Sequence, residues 1–131
     1  MPVSQHPLVH YAAVASGAIA ILFGFNALFR PEHAMTFFEF DYPTAPAEKS
    51  VMDKIMYVYG TRDILLGMSC IIAGVAGNRK TLGWTMLNLS AMAWVDGIIC
   101  WNNGHGQWNH WGYAPQLTLV GALLLGWFDR N

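Results

Sequence analysis

Apolar residues fall in four runs, residues 8–29, 57–77, 82–101 and 112–128, and polar residues collect almost entirely between them. At 1.5 Å of rise per residue, about 20 apolar residues cross a hydrocarbon core of about 30 Å. The first three runs meet that length, and the fourth, about 17 residues, lies at its lower limit. The pattern therefore predicts an all-α fold, a four-helix transmembrane bundle forming a single integral membrane domain over residues 1–131. The fourth run carries Pro115, which starts or kinks it.

The connections refine this picture. Pro7 precedes the first run, and Arg30-Pro31 closes it. In the long connection 31–56, Pro31 followed by Glu32 suits the first turn of a helix, where a missing N–H does no harm and a carboxylate meets the positive end of the dipole. Met35, Phe37, Phe38 and Phe40 alternate with acids there, so a short interfacial helix is expected between helices 1 and 2. Residues 78–81 form a tight polar hairpin, and residues 102–111 a Gly/Asn-rich loop with two histidines and two tryptophans. Four crossings put the N-terminus, the hairpin and the C-terminus on one side and the other two connections opposite. The opening Met-Pro-Val-Ser-Gln-His-Pro has no basic region and no Ala-x-Ala step, so the first run is expected to stay as a helix.

Composition agrees with a membrane setting. Hydrophobic residues make up 54% of the chain and charged residues 11%, against about 25% charged in soluble domains. A net charge of −1 from scattered basic residues gives no face for nucleic acid. Arg79, Lys80 and Arg130 fall on one side and Arg30, Lys49 and Lys54 on the other, a tie in which the compact Arg79-Lys80 pair points to a cytosolic hairpin. The endoplasmic reticulum is the expected membrane. Cys70 and Cys100 both lie in apolar runs and read as small buried hydrophobes.

Three charges break the apolar runs: Arg62 and Asp63 in the second and Asp96 in the third. An ionisable side chain at bilayer depth costs about 2.5 to 3.5 kcal/mol on insertion scales, so it faces the protein interior and has a partner. Asp63 lies about 14 residues before the hairpin and Asp96 about 14 after it, which sets both roughly 21 Å from that hairpin. Asn26 and the loop carrying His105 and His110 belong to the same side. Tyr59, Arg62 and Asp63 share a helix face at i, i+3 and i+4, and Trp84, Asn88, Met92 and Asp96 form an i+4 stripe. His105 and His110 are five apart without a third ligand, so no metal site is expected.

Two carboxylates around one guanidinium in a poorly hydrated pocket do not titrate alike: one stays ionised while the other can keep a proton, giving a base and an acid in one site. Asp63, Asp96 and Arg62 are therefore the candidate catalytic residues, with Asp96 as base because Asp63 adjoins Arg62, or with the two acids exchanged. Tyr59, Asn26, Asn88 and His110 are candidates to orient water or a substrate oxygen, and Trp84, Met92 and Trp111 to wall the site. Structurally, the same charges can be an ion pair pinning the second span to the third, the asparagines interhelical donors, and the tryptophans packing and interface residues.

In residue types, Arg62, Asp63 and Asp96 resemble the Asp-Arg-Asp sites of limonene-epoxide-hydrolase-like enzymes, in which one aspartate activates water, the other protonates the epoxide oxygen and the arginine bridges them. The whole chain resembles a family of small four-helix fungal membrane proteins of unknown function that share a Tyr-Gly-x-Arg-Asp stretch, here Tyr59 to Asp63, and an Asp-Gly step, here Asp96-Gly97. Some members of that family belong to secondary-metabolite pathways. The resemblances imply a membrane-embedded, cofactor-independent enzyme that opens, cyclises or isomerises a lipophilic polyketide or terpenoid, with epoxide hydrolysis the most concrete case. The alternative is a non-enzymatic module, a lipid binder or a subunit of a larger complex, for which the glycines of the spans offer close helix contacts, including contacts in a homo-oligomer.

Overall fold

In the computed structural model, which describes residues 1–129, the chain is helical and the described residues contain no strand. Arg130, expected on the hairpin side, lies outside the described residues. A 3-10 turn at Val3–Gln5 leads into α1 (Pro7–Phe29), α2 (Pro31–Met35), α3 (Pro46–Ala76), α4 (Arg79–Asn102), α5 (Trp108–Trp111) and α6 (Ala114–Leu124). Prolines open α1, α2, α3 and α6, where a missing N–H leaves no helical bond unmade. Asn78 caps α4 by accepting the Thr81 N–H at 3.0 Å.

α1 and α3 are long and apolar enough to cross a membrane, and only 28% of the apolar window of each is buried inside the protein. The polar lead-in before residue 57 is itself helical, tied by a Lys49–Asp53 contact of 3.0 Å one turn apart, so α3 starts at Pro46. The fourth predicted span is shortened. Gly126, at φ 80°, ends the helix by a left-handed step in which the Trp127 N–H reaches back to the Ala122 carbonyl at 3.2 Å. The 11 residues of α6 rise only about 16 Å. The loop expected at 102–111 contains the short α5.

Small residues set the packing. α1 buries Ala13, Gly17, Ala20, Gly24 and Ala27, and α3 buries Met56, Gly60, Asp63, Gly67, Cys70 and Ala73, both at alternating steps of mostly four and three. The helices run antiparallel with backbones in contact: a Cβ on Gly24 would stand 2.5 Å from the Gly60 carbonyl oxygen, and one on Gly60 2.6 Å from that of Gly24. Gly17 and Gly67 repeat the arrangement two turns away. α4 pairs with α6 through Gly83 and Gly121, and hydrogen bonds link Ser90 to Thr118 and the Trp94 indole to Thr118. α3 joins the two pairs by packing on α4, while α1 and α6 touch sparsely.

The ends of the molecule differ. At one, Asp129 accepts the Ser4 N–H at 3.0 Å and Arg79 donates to the Ser4 carbonyl at 2.7 Å, so the first and last described segments and the α3–α4 hairpin meet. At the other, Phe38, just past α2, packs on His110 of α5, with ring centroids 4.6 Å apart. There Tyr42 donates to Asp53 at 2.5 Å, and burial of the phenol raises its pKa.

Candidate active site

Asp63 and Asp96 each occupy a buried position in the four-and-three spacing of their helix, between Gly60 and Gly67 on α3 and between Ala93 and Cys100 on α4. Each is 3% exposed. Arg62, one position round α3, sits at the surface of the seam and turns its guanidinium inward, its Cζ lying 4.5 Å from the centroid of the Tyr59 ring.

The guanidinium treats the two acids differently. Its Nη1 and Nη2 donate to the two oxygens of Asp96 at 2.9 and 2.8 Å, a two-pronged pairing that occupies the whole carboxylate. Its Nε and Nη2 donate to Oδ1 of Asp63 alone, at 3.1 and 3.0 Å, leaving Oδ2 without an arginine contact. One positive charge thus serves two carboxylates.

Asp63 also lines a cavity of about 370 Å³, and Arg62 and Asp96 do not. Arg62 instead borders a shallow outer groove with Tyr57, Val58 and Leu65. Around Asp63 the cavity gathers Tyr59, Asn109, His110 and Tyr113, and its apolar walls come from α1, α4 and α6. His110 is 2% exposed, its Nδ1 is 3.3 Å from the Tyr113 hydroxyl, and its Nε2 is enclosed without a partner. Burial lowers its pKa, so the ring is held neutral.

Of the residues expected at the site, the structure brings together Arg62, Asp63, Asp96, Tyr59, His110 and Met92. Asn26 is elsewhere, its Oδ1 3.2 Å from Nδ1 of His33. Trp84 and Asn88 are exposed, because a step of four residues overshoots a helical turn by about 40° and three such steps rotate the stripe off one face. Trp111 lies outside the cavity: its indole covers Gly97 so closely that a Cβ there would overlap it, and its N–H donates to the Trp94 carbonyl at 3.2 Å. His105 stands 3.5 Å from Glu39, apart from His110. Of the two acids, whose roles of base and acid are exchangeable on sequence, Asp96 has both oxygens engaged by Arg62 and does not line the cavity, whereas Asp63 does. Tyr113 and Asn109 were missed; Tyr113 lies three residues after His110, a spacing that marks a shared helical face.

No curated protein and no solved structure matches the chain. A family profile described as "Domain of unknown function (DUF4267)" matches residues 17–124, a stretch that takes in both glycine seams, the three charges and every lining residue of the cavity except Ser16. The chain therefore belongs to the DUF4267 family.

Proposed function

We propose that the protein is a membrane-embedded acid–base enzyme acting on a lipophilic small molecule, with Asp63 as the group that exchanges a proton at the reacting centre. The observation that carries this reading is the two-sided setting of Asp63, one oxygen on the Arg62 fork and the residue itself in the wall of a largely apolar cavity. Asp96 holds and orients Arg62, and Arg62 holds the carboxylate of Asp63.

In epoxide opening, Asp63 takes a proton from water, the water oxygen bonds to a ring carbon, the carbon–oxygen bond breaks, and the released oxygen takes a proton from a phenol, Tyr59 or Tyr113. The proton held by Asp63 then returns to that phenolate, directly or through water. The same groups serve ring closure or isomerisation of a similar substrate. On this reading the four longer helices cross or enter the bilayer together, with the remainder of the fourth crossing made by the chain on either side of α6. The endoplasmic reticulum, where lipophilic intermediates collect, is the membrane we assign.

The test is turnover of a long-chain terminal epoxide by purified protein in lipid nanodiscs, read as diol formation. Asp63→Asn is expected to lower the rate by about 10²- to 10⁴-fold, the usual worth of a general base. Arg62→Ala and Asp96→Asn are expected to act less, through the position of Asp63. Full turnover in all three folded variants removes the mechanism. A second reading, a structural staple between α3 and α4, is favoured by the four N–H···O bonds of Arg62. It predicts that Asp63→Asn changes stability alone.

A further inference from the structure

The cavity beside Asp63 has three properties that bear on what enters it. It is graded. Tyr59, Asp63, Asn109, His110 and Tyr113 stand together at the end towards α2 and α5, Gln116 adds an uncharged amide on α6 one turn from Tyr113, and Ala20, Leu89, Met92 and Leu117 form the apolar part of the wall. Ser16, on the α1 wall, has its hydroxyl engaged by the Ala12 carbonyl at 2.8 Å.

The polar end also has one sign of charge. Asp63 is the only carboxylate among the lining residues, no lysine or arginine joins it, and the Arg62 fork is already used on the far side by two carboxylates. A carboxylate or phosphate placed there would meet Asp63 with no free cation to offset the repulsion, in surroundings where unpaired charge is costly. An uncharged oxygen function meets a hydrogen-bond acceptor in Asp63 and hydroxyl donors in the two tyrosines.

Finally, the cavity opens to the side. α1 and α6 pack sparsely, and two apolar residues lining the cavity on α1 also belong to the outer surface, Ile19 at 53% exposed and Phe23 at 38%, while Asn109, Tyr113 and Gln116 are exposed at the polar end. Ile19 lies near the middle of α1, the more apolar of the two helices long enough to cross a membrane. An opening at that height faces the acyl chains of a surrounding bilayer and not water.

We propose that the cavity takes a single-chain amphiphile with an uncharged oxygen-bearing head, set against Asp63, and admits it sideways from the bilayer between α1 and α6. This rests on the cavity being the substrate site and adds to it the class of substrate and its route. Ionised fatty acids and phospholipids are disfavoured as substrates by charge, and the apolar side opening favours lipophilic ones.

The test uses the full chain in phosphatidylcholine nanodiscs with two probes of equal length, 1-pyrenedecanol and 1-pyrenedecanoic acid, read by energy transfer from tryptophan at neutral pH. The alcohol is expected to bind about ten-fold more tightly than the acid, the scale of one hydrogen bond to a charged group. Asp63→Asn is expected to bring the two within about two-fold of each other. Ile19→Trp, which narrows the side opening, is expected to weaken the alcohol by about ten-fold, while Val75→Trp, elsewhere on the exposed surface of α3, leaves it unchanged. Ile19→Trp leaves the buried charges intact, so the test stands even if Asp63→Asn does not fold. Equal binding of acid and alcohol by the unmodified protein overturns the proposal, as does Ile19→Trp behaving like Val75→Trp. Selective binding together with unchanged epoxide turnover in Asp63→Asn would remove only the catalytic reading and leave this one standing.

Discussion

Arg62 is a single side chain on which two buried acids depend, and removing one acid tests how the arrangement shares the load. Breaking a buried ion pair from one side costs about 3 to 5 kcal/mol. The Arg62 side chain is 36% accessible, so water takes up part of what Asp96 supplied. Asp96→Asn is therefore expected to destabilise the protein by about 2 kcal/mol, measured by thermal unfolding in detergent. A loss below about 0.5 kcal/mol would mean that the pairing is not maintained in solution. The three charges were legible because each interrupts an apolar run, where a charge has few places to go. Their different contacts were not legible, since depth along a helix says nothing about which carboxylate oxygen faces the arginine and which face of the residue meets a cavity.

At the scale of the helix pair, the α1–α3 seam has no room for a methyl group at the glycines that cross. Gly60→Ala directs its Cβ at a backbone carbonyl, which can yield only if the helices part, and is expected to cost at least the about 1 to 3 kcal/mol of ordinary overpacking. Gly74→Ala meets a methyl of Val14 at 2.6 Å, a side-chain atom, and gains helix propensity of about 1 kcal/mol. It is expected to unfold within about 1 kcal/mol of the parent protein, and equal losses in the two variants would contradict backbone contact. The sequence carried this seam openly in the alternating spacing of Ala13 to Ala27 and of Met56 to Cys70. That spacing stays on one face, whereas the Trp84–Asn88–Met92–Asp96 stripe drifts round the helix. The early end of α6 was hidden in Gly126, which reads as one more small residue of an apolar run and acts as a left-handed stop.

For the whole molecule, exposed tryptophans stand at both ends: Trp84 and Trp127 near the hairpin, Trp101 and Trp108 near α5. From Trp84 to Trp101 the helix rises about 25 Å, close to the thickness of a hydrocarbon core, which suits the proposed bilayer. The clasp of the termini is a separate, titratable feature. The hydrogen bonds from Ser4 hold the Asp129 carboxyl below its ordinary pKa. The folded value is the lower one, so the clasp contributes its full stability above the unfolded pKa of about 3.9 and loses it as pH falls through the folded value. The unfolding midpoints of the parent and of Asp129→Ala are expected to differ at pH 7 and to converge as pH falls below about 3.9. A gap that persists in acid would assign the difference to something other than this carboxylate.

Because the first and last described turns touch, the path of the chain through the fold is nearly a closed loop. A short peptide joining residue 129 to residue 1 would need to bridge little space, and Gly104, where an added Cβ would meet nothing within 4 Å, offers a place to cut. Residues 1–129 permuted to begin at His105 and finish at Gly104 are expected to reach the same fold, with the new ends emerging on the opposite face from residues 1 and 129.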